Sequence, residues 1–270
     1  MIIKYLLMSK SILLKYFEKV IFKRRGGTTM ASVLKVNDLT KTYKNGRGIM
    51  DISFDIEKGD IFGLLGPNGS GKTTTMKIIT GLSYADKGSV EILGINSLEE
   101  SAKAFKEIGC LIEAPAIYEY LTARENLKLA ANYYTEIKTP RIDDMLQQTG
   151  LIKYANEKVK NFSLGMKQRL GLALALISNP KLVILDEPTN GLDIEGTVDI
   201  REIIIKQAKL GITFLVSSHI AHEIELMCNK VGIIKEGKLL NVTSMKNALD
   251  ECETLEKYFL KHVGRKGEEV

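Results

Sequence analysis

The sequence contains few cysteines and lacks any long uninterrupted apolar run. Its three cysteines, Cys110, Cys228 and Cys252, are scattered and form no C-x-x-C pair. This pattern argues against a zinc site and a disulfide scaffold, and it favours a reduced, cytosolic protein. Lysines interrupt the apolar N-terminal segment so often that uncharged stretches such as residues 5–9 fall far short of the roughly 18 residues of a membrane span. The sequence therefore predicts neither a transmembrane helix nor a signal peptide.

The positive charge of the sequence is concentrated at its N-terminus. The 270 residues have a net charge of +5, but residues 1–30 alone carry +6, from seven Lys or Arg and one Glu. The other 240 residues carry −1, so the body of the chain gives no reason to expect a nucleic-acid partner. With 44% hydrophobic and 26% charged residues, the chain has the composition of a folded globular protein.

Two interpretations of the basic extension, residues 1–31, are open. On a helix, Lys4, Lys15 and Lys19 share one arc opposite an apolar face, which is the pattern of a helix lying on an anionic membrane surface. Alternatively, Met30 is the true start, and the preceding residues are a translation artefact or a disordered leader. In both interpretations the folded body begins near residue 32.

Short apolar segments alternate with helical patterns along the rest of the chain. Residues 61–65 form an apolar run that Gly66 and Pro67 end, as expected of a buried strand entering a turn. The alternation predicts an α/β fold with a mostly parallel sheet. The predicted strands are residues 33–39, 49–56, 61–65, 108–112, 183–185 and 212–216, with a hairpin over 231–242. The predicted helices are residues 74–82, 122–134 (opened by a capping box of Thr122 and Glu125) and 163–179 (N-capped by Ser163).

A glycine-rich segment between a predicted strand and a predicted helix fits the phosphate-binding pattern G-x-x-x-x-G-K-[ST]. Gly69 and Gly71 let the backbone wrap closely around a phosphate, and N–H groups at the helix start then face the anion. Lys72 supplies positive charge to the β- and γ-phosphates, and the Thr73 hydroxyl is a ligand for Mg²⁺. The flanking strand and helix disfavour the alternative, an ordinary turn. The predicted nucleotide-binding residues here are Gly66, Pro67, Asn68, Gly69, Ser70, Gly71, Lys72, Thr73 and Thr74.

Two consecutive carboxylates, Asp186 and Glu187, end another apolar strand. Open α/β sheets bind their ligands at the carboxyl ends of strands. Asp186 is therefore predicted to hold Mg²⁺ directly or through water, and Glu187 to orient or deprotonate an attacking water. An isolated Asp-Glu pair would otherwise be interpreted as a solvated strand end. Together with the phosphate-binding segment, the pair predicts a nucleoside triphosphatase.

Four further landmarks flank these two features. Tyr43 precedes the glycine-rich segment, the run Ser163-Leu-Gly-Met-Lys-Gln-Arg169 precedes the acidic pair, and Asn190-Gly-Leu-Asp193 and Ser217-Ser-His219 follow it. In this order they resemble the ATP-binding cassette of ABC transporters over residues 32–262. The resemblance implies a RecA-like P-loop NTPase core with an antiparallel β subdomain and an inserted helical subdomain. It places the helical subdomain at about residues 114–170 and leaves a polar tail over 263–270.

The resemblance also implies roles for the matching residues. Tyr43 would stack on adenine, His219 would contact the γ-phosphate, and Asp193 would couple two nucleotide sites. Ser163 and Gly165 match a signature sequence that closes over the nucleotide bound by another subunit. The family pattern L-S-G-G-Q stands here as F-S-L-G-M, which keeps the serine and one glycine. Without the resemblance, each of these residues is ordinary for a strand end, a turn or a helix start.

One position departs from the usual family pattern. Where the family has a Gln after the strand that enters the helical subdomain, this sequence has Glu113, followed by Ala114 and Pro115. A Glu at this point, together with S-L-G-M-K-Q-R, resembles the branch that exports or protects against bacitracin and lantibiotic peptides. Its carboxylate could reach Mg²⁺ or the attacking water, as an amide oxygen would. The alternative is that Glu113 is a surface residue.

We therefore expect an ATP-hydrolysing subunit that uses ATP and Mg²⁺ and powers a separate permease for antimicrobial peptides or antibiotics. Because the sequence has one phosphate-binding segment and the family's active unit needs two, a homodimer of cassettes is expected, at the cytoplasmic face of the membrane. The alternatives are a soluble ABC ATPase acting on ribosomes or nucleic acid, and an exporter of a different substrate. A non-catalytic scaffold is disfavoured because Lys72, Asp186, Glu187 and His219 are all present.

Overall fold

The computed structural model describes residues 32–134 and 136–264. The basic extension over residues 1–31 and residues 265–270 of the polar tail lie outside the described residues. The strands are β1 (Ser32–Thr42), β2 (Gly48–Glu57), β3 (Ile61–Leu65), β4 (Lys87–Ile92), β5 (Ile95–Asn96), β6 (Ile108–Leu111), β7 (Leu182–Leu185), β8 (Thr213–Ser218), β9 (Lys230–Lys235) and β10 (Lys238–Ser244). The helices are α1 (Lys72–Ile79), α2 (Ser101–Lys106), α3 (Ala123–Ala131), α4 (Thr139–Gln148), α5 (Leu164–Leu176), α6 (Ile194–Lys209), α7 (Ala221–Met227), α8 (Met245–Glu251) and α9 (Leu255–Val263).

The strands form two sheets of different kinds. A six-stranded sheet has the order β10-β9-β3-β8-β7-β6 and is parallel except for the β9–β10 hairpin. A four-stranded antiparallel sheet has the order β2-β1-β4-β5. The mostly parallel sheet and the hairpin predicted from the sequence are both confirmed. Because β3, β7 and β8 run in the same direction, their carboxyl ends lie at one edge of the larger sheet.

The alternation of side chains along β3 divides the hydrophobic core into two parts. Ile61 and Leu65 pack in one cluster together with residues of α3, α4 and α5. Phe62 and Leu64 point to the other face, where they pack with the antiparallel sheet. The rings of Phe54 on β2 and Phe62 stack with centroids 5.0 Å apart. All five residues of β3 are buried, which explains why this strand is uniformly apolar.

A helical segment is inserted between β6 and β7. It contains α3, α4, α5 and two short 3₁₀ turns, Ile152–Tyr154 and Val159–Asn161. The Thr122 hydroxyl accepts the Glu125 N–H and the Glu125 carboxylate accepts the Thr122 N–H, so the predicted capping box is confirmed. Among the residues that the structure describes, no helix is long and apolar enough to cross a bilayer.

Four predicted helix boundaries were wrong by two or three residues. α1 begins at Lys72 and not at Thr74, because Gly71 adopts a left-handed conformation at the N-cap position and the helix follows at once. α1 ends at Ile79, α3 at Ala131 and α5 at Leu176, each three residues before the predicted end. Helix ends fray into irregular turns, so the apolar pattern of a sequence can continue past the last helical residue.

Helix α5 lies very close to β6. A Cβ atom on Gly109 of β6 would lie 1.9 Å from the carbonyl oxygen of Ala175, which is a backbone atom and cannot rotate away. By contrast, a Cβ on Gly165, near the start of α5, would meet no atom closer than 3.9 Å. Only the first of these glycines is therefore required by packing within the chain.

We expect Gly109→Ala to lower the free energy of unfolding by about 1–3 kcal/mol, because the added methyl group overpacks the β6–α5 contact. Gly165→Ala is the matched control. It should leave stability unchanged or raise it by up to about 1 kcal/mol, since Ala favours helix over Gly. Urea unfolding of both variants measures the difference. Equal stability of the two variants would show that β6 and α5 are not in close contact.

Candidate active site

The glycine-rich segment connects β3 to α1 and surrounds the side chain of Lys72. Gly69 and Gly71 have φ values of +77° and +109°, which favour glycine, and a Cβ on Gly66 would lie 2.2 Å from the Ile234 carbonyl oxygen. The hydroxyl of Ser70 is buried without a hydrogen-bond partner among the described residues. A buried orphan hydroxyl inside a glycine-rich loop at a helix N-terminus fits a phosphate-binding cradle.

Three oxygen atoms surround the ammonium group of Lys72. Its Nζ donates to the carbonyl oxygens of Gly66, at 2.8 Å, and Pro67, at 3.1 Å. It also forms an ion pair with Glu187 Oε1 at 3.1 Å. The Lys72 side chain is only 4% exposed, so its charge needs such partners. A phosphate that binds Nζ would compete with these oxygens.

The acidic pair lies where β7 ends, next to the glycine-rich segment. The hydroxyl of Thr73 donates to Asp186 Oδ2 at 2.7 Å, across 113 residues of sequence. The Ser217 hydroxyl donates to the other oxygen, Oδ1, at 2.6 Å. The Asp186 carboxylate is therefore held between two hydroxyl groups from α1 and β8.

The Glu187 carboxylate lies between the Lys72 ammonium group and the His219 imidazole. One oxygen contacts Lys72, and the other contacts His219 Nδ1 at 2.9 Å. An ionised carboxylate only accepts hydrogen bonds, so Nδ1 of His219 carries the proton of this bond. The backbone of Glu187 has a φ of +46°, a left-handed conformation that is uncommon for a residue other than glycine. The structure thus brings four predicted residues, Lys72, Asp186, Glu187 and His219, into one cluster.

Glu113 and Tyr43 lie outside this cluster in the structure. Glu113 has a φ of +63° and forms an ion pair with Lys77 Nζ at 2.6 Å, one helical turn along α1 from Thr73. Its carboxylate is largely exposed, and within the described ranges it forms no hydrogen bond or ion pair with Thr73 or Asp186. Tyr43 follows β1, is 40% exposed, and has Lys41 Nζ 5.9 Å from its ring centroid. The sequence pattern indicated neither of these neighbours, Lys77 for Glu113 and Lys41 for Tyr43.

The signature residues line a separate cleft. We call the signature cleft the space of about 430 Å³ between the start of α5 and the start of α6. Its lining includes Tyr154, Ser163, Gly165, Arg169, Asp193 and Asp199. Ser163 caps α5 by accepting the Met166 N–H at 3.2 Å, and Asp193 caps α6 by accepting the Gly196 N–H at 2.9 Å. No residue of the glycine-rich segment lines this cleft.

Two residues of the site were not assigned a role from the sequence. Ser217 entered only as part of a Ser-Ser-His run, yet its hydroxyl contacts both acidic residues. Lys77 lies in an ordinary helical stretch, yet it is the ion-pair partner of Glu113. The neighbouring sequence indicates neither contact, because each joins residues that are 30 or more positions apart.

Comparison with known proteins identifies the family. The model of a family described as "ABC transporter" matches residues 49–190. The chain belongs to the ABC transporter family. It is 45% identical over 212 residues to the bacitracin transport ATP-binding protein BcrA of Bacillus licheniformis, covering 78% of this chain and 69% of that protein. It is 40% identical over 227 residues to the lantibiotic transport ATP-binding protein SrtF of Streptococcus pyogenes, covering 84% of this chain and 96% of that protein.

Solved structures agree with this assignment. An ATP-binding subunit of an ABC transporter superposes with a TM-score of 0.77 at 28% identity, covering 86% of this chain and 100% of that one. The ABC cassette MJ0796, in a dimeric post-hydrolysis state with ADP and Pi, superposes with a TM-score of 0.71 at 27% identity, covering 78% and 98%. The predicted RecA-like cassette fold is confirmed, and this chain is an ATP-binding, ATP-hydrolysing subunit of the family.

We expect Lys72→Ala and Glu187→Gln to fail at different steps. The sequence predicts that Lys72 meets the phosphate charge in the ground state, so its loss should weaken ATP binding at least tenfold, on the order expected for a charged hydrogen bond. It predicts that Glu187 acts on water in the transition state, so its amide should bind ATP normally and lower turnover at least about a hundredfold. Fluorescent-nucleotide binding and phosphate release measure the two quantities. Near-normal turnover by Glu187→Gln would contradict the role of Glu187.

Proposed function

We propose that this chain hydrolyses ATP to power a separate membrane permease that exports, or protects against, antimicrobial peptides. The observation that carries the proposal is the cluster of Lys72, Asp186, Glu187 and His219 at one sheet edge, in a chain whose relatives include bacitracin and lantibiotic transport ATP-binding proteins. Export of a different substrate is the alternative within the family. An ATPase of ribosomes or nucleic acid is not favoured by these relatives.

The proposed chemistry is hydrolysis of the γ-phosphate of ATP. Water attacks the γ-phosphorus, the bond to the β-phosphate oxygen breaks, and Glu187 takes the proton of the attacking water. Lys72 neutralises the β- and γ-phosphates, and His219 contacts the γ-phosphate. In this role Lys72 exchanges its contact with Glu187, at 3.1 Å, for a phosphate oxygen, which frees the carboxylate to face water. Tyr43 stacks on adenine from its exposed position after β1.

The oxygen donors at the end of β7 fit Mg²⁺. Within the described ranges, no three His, Cys, Asp or Glu side chains are arranged to hold a metal without further ligands. Mg²⁺ commonly takes one or two protein oxygens and completes its shell with water and substrate phosphates. The Thr73 hydroxyl and the Asp186 carboxylate, 2.7 Å apart, are such a pair. The ion would neutralise charge that develops on the phosphates.

A homodimer completes the proposed site. The signature cleft contains Ser163, Gly165 and Asp193 but no residue of the glycine-rich segment, so one chain does not bring both sets onto the same nucleotide. Gly165 has no packing reason to be glycine within the described chain, which fits close approach by a second molecule. Head-to-tail pairing of two copies would set each signature cleft against the other copy's ATP.

We expect Glu187→Gln with ATP to elute from a sizing column as a dimer, because nucleotide binds but is not turned over. Adding Gly165→Arg should return it to a monomer, since the new side chain projects into open space in the signature cleft and blocks the partner. Glu187→Gln without ATP is the control and should be monomeric. A dimer that survives Gly165→Arg would contradict pairing through this cleft.

The family assignment supports a separate permease and a membrane location. ABC ATP-binding subunits of transporters associate with membranes, and we propose that this one lies peripherally on the cytoplasmic face, bound to a separate permease. The cassette would span residues 32–262, with residues 114–170 as its helical subdomain. Sedimentation with membranes from cells that express the permease tests the location. Co-sedimentation with ribosomes instead would favour the alternative ATPase.

Glu113 is the proposed link between the nucleotide site and the permease. It pairs with Lys77 on α1 and is followed after one residue by Pro115. A Cβ on Gly171 of α5 would lie 2.9 Å from the Pro115 Cβ. The loop of Glu113 therefore contacts both α1 and α5, the helix that Ser163 caps. A charge in this loop is well placed to respond to nucleotide and to transmit the response.

We expect peptide-antibiotic resistance to fall in the order wild type, Glu113→Gln, Glu113→Ala when each is co-expressed with the permease. Gln keeps an acceptor oxygen but loses the charge, and Ala keeps neither. ATP affinity should change less than about threefold, because Lys72, Thr73 and Asp186 still hold the nucleotide. If Glu113→Ala protects cells as well as wild type does, Glu113 is not the coupling residue.

A further inference from the structure

Ser217 lies at the point where two strands of the larger sheet meet the acidic pair. It is the fifth residue of β8 and is fully buried. In the ladder, its neighbour Val216 pairs with Leu185, the last residue of β7, so Ser217 lies beside the chain as it leaves β7 at Asp186. On its other side Ser217 pairs with Leu64 of β3, two residues before the glycine-rich segment.

The Ser217 hydroxyl bridges the two acidic residues in a defined direction. It donates to Asp186 Oδ1 at 2.6 Å and accepts the backbone N–H of Glu187 at 2.9 Å. A hydroxyl has one proton, and the Glu187 N–H is itself a donor, so the proton of Ser217 must point to Asp186. The bond to Asp186 is buried and the bond from Glu187 is partly buried. In such surroundings a hydrogen bond to a charged group is strong, and a lost partner is costly.

The hydrogen bond from the Glu187 N–H to the Ser217 hydroxyl involves a backbone in an uncommon conformation. Glu187 has a φ of +46°, and such conformations persist only where the surroundings hold them. Ser217 holds the N–H of this same residue, while the Glu187 side chain extends to Lys72 and His219. The direction in which Glu187 leaves the sheet therefore depends on the Ser217 hydroxyl.

We propose that Ser217 is the positioning residue of the acidic pair. It fixes the Asp186 carboxylate opposite Thr73 and holds the Glu187 backbone so that the Glu187 carboxylate faces the γ-phosphate. The inference rests on the roles proposed above for Asp186 and Glu187. It concerns geometry and not binding of ATP, because Ser217 contacts no residue of the glycine-rich segment through its side chain among the described hydrogen bonds.

The chain provides a matched control in the next residue. Ser218 is also buried, but its hydroxyl bonds only to the backbone of Ile220, accepting its N–H at 3.0 Å and donating to its carbonyl oxygen at 3.4 Å. Ser217→Ala and Ser218→Ala remove the same atom from adjacent buried positions. Only the first removes contacts to Asp186 and Glu187.

The experiment compares the kinetics and the metal dependence of these two variants in the full-length chain. We expect Ser217→Ala to lower kcat about tenfold or more, on the order of a lost hydrogen bond to a charged group, with KM for ATP within about threefold of wild type. The Mg²⁺ concentration that gives half-maximal turnover should rise severalfold, while fluorescent-ATP binding in EDTA stays unchanged, because Asp186 is misplaced and Lys72 is not. Ser218→Ala should match wild type in all of these measurements.

Two further variants keep the test decisive. Ser217→Thr retains the hydroxyl and should restore most of the turnover, which a role in packing alone would not predict. If Ser217→Ala does not fold, Ser217→Cys takes its place, since the thiol is a weak hydrogen-bonding group of similar size. A folded Ala or Cys variant with the kcat and Mg²⁺ dependence of Ser218→Ala would overturn the proposal.

The result also separates this inference from the proposed function. If Glu187→Gln keeps normal turnover, the role of Glu187 is wrong and the positioning role of Ser217 falls with it. If Glu187→Gln abolishes turnover while Ser217→Ala remains normal, only the inference about Ser217 is wrong. A loss of turnover in both variants, with Ser218→Ala normal, supports both assignments.

Discussion

The parallel pairing of β3, β8 and β7 is the constraint on which the rest of the site depends. Parallel strands end at one edge of a sheet, so Leu65 ends beside Ser218, and Leu185 ends beside Val216, although they are distant in sequence. The glycine-rich segment, the acidic pair and the histidine all follow these ends directly. Burial of β3 and β7 along their whole length stabilises the pairing. The pairing thereby keeps the site residues in place, although these residues contribute little to the core.

Features with a local physical signal could be predicted from the sequence. The bounds of β3 were correct because Gly66 and Pro67 end its apolar run, and the N-cap of α5 at Ser163 was correct because a capping hydroxyl acts on the next turn. The members of the cluster around Glu187 could also be predicted, because they follow a recognisable order along the chain. The distances between their atoms could not be predicted, since these depend on strand register.

Contacts between distant residues could not be predicted. The ion pair of Glu113 with Lys77 joins residues 36 positions apart, and the Ser217 hydroxyl reaches Asp186 across 31 positions. Lysine on a helix and serine in a strand are common, so neither residue type indicates a partner. The start of α1 was misplaced for a different reason: the conformation of Gly71, and not the apolar pattern, decides where that helix begins.

The close packing of Ala175 of α5 against Gly109 of β6 leaves least room for movement at this end of the helix, so a tilt of α5 would be centred near Ala175. Ser163 lies twelve residues from Ala175, about 18 Å along a helix, whereas Gly171, which touches Pro115, lies about 6 Å away. A tilt of α5 therefore moves Ser163 about three times as far as it moves the Pro115 contact. If the proposed pairing of two copies closes the signature cleft by such a tilt, the displacement at the loop of Glu113 would be about one third of that at Ser163.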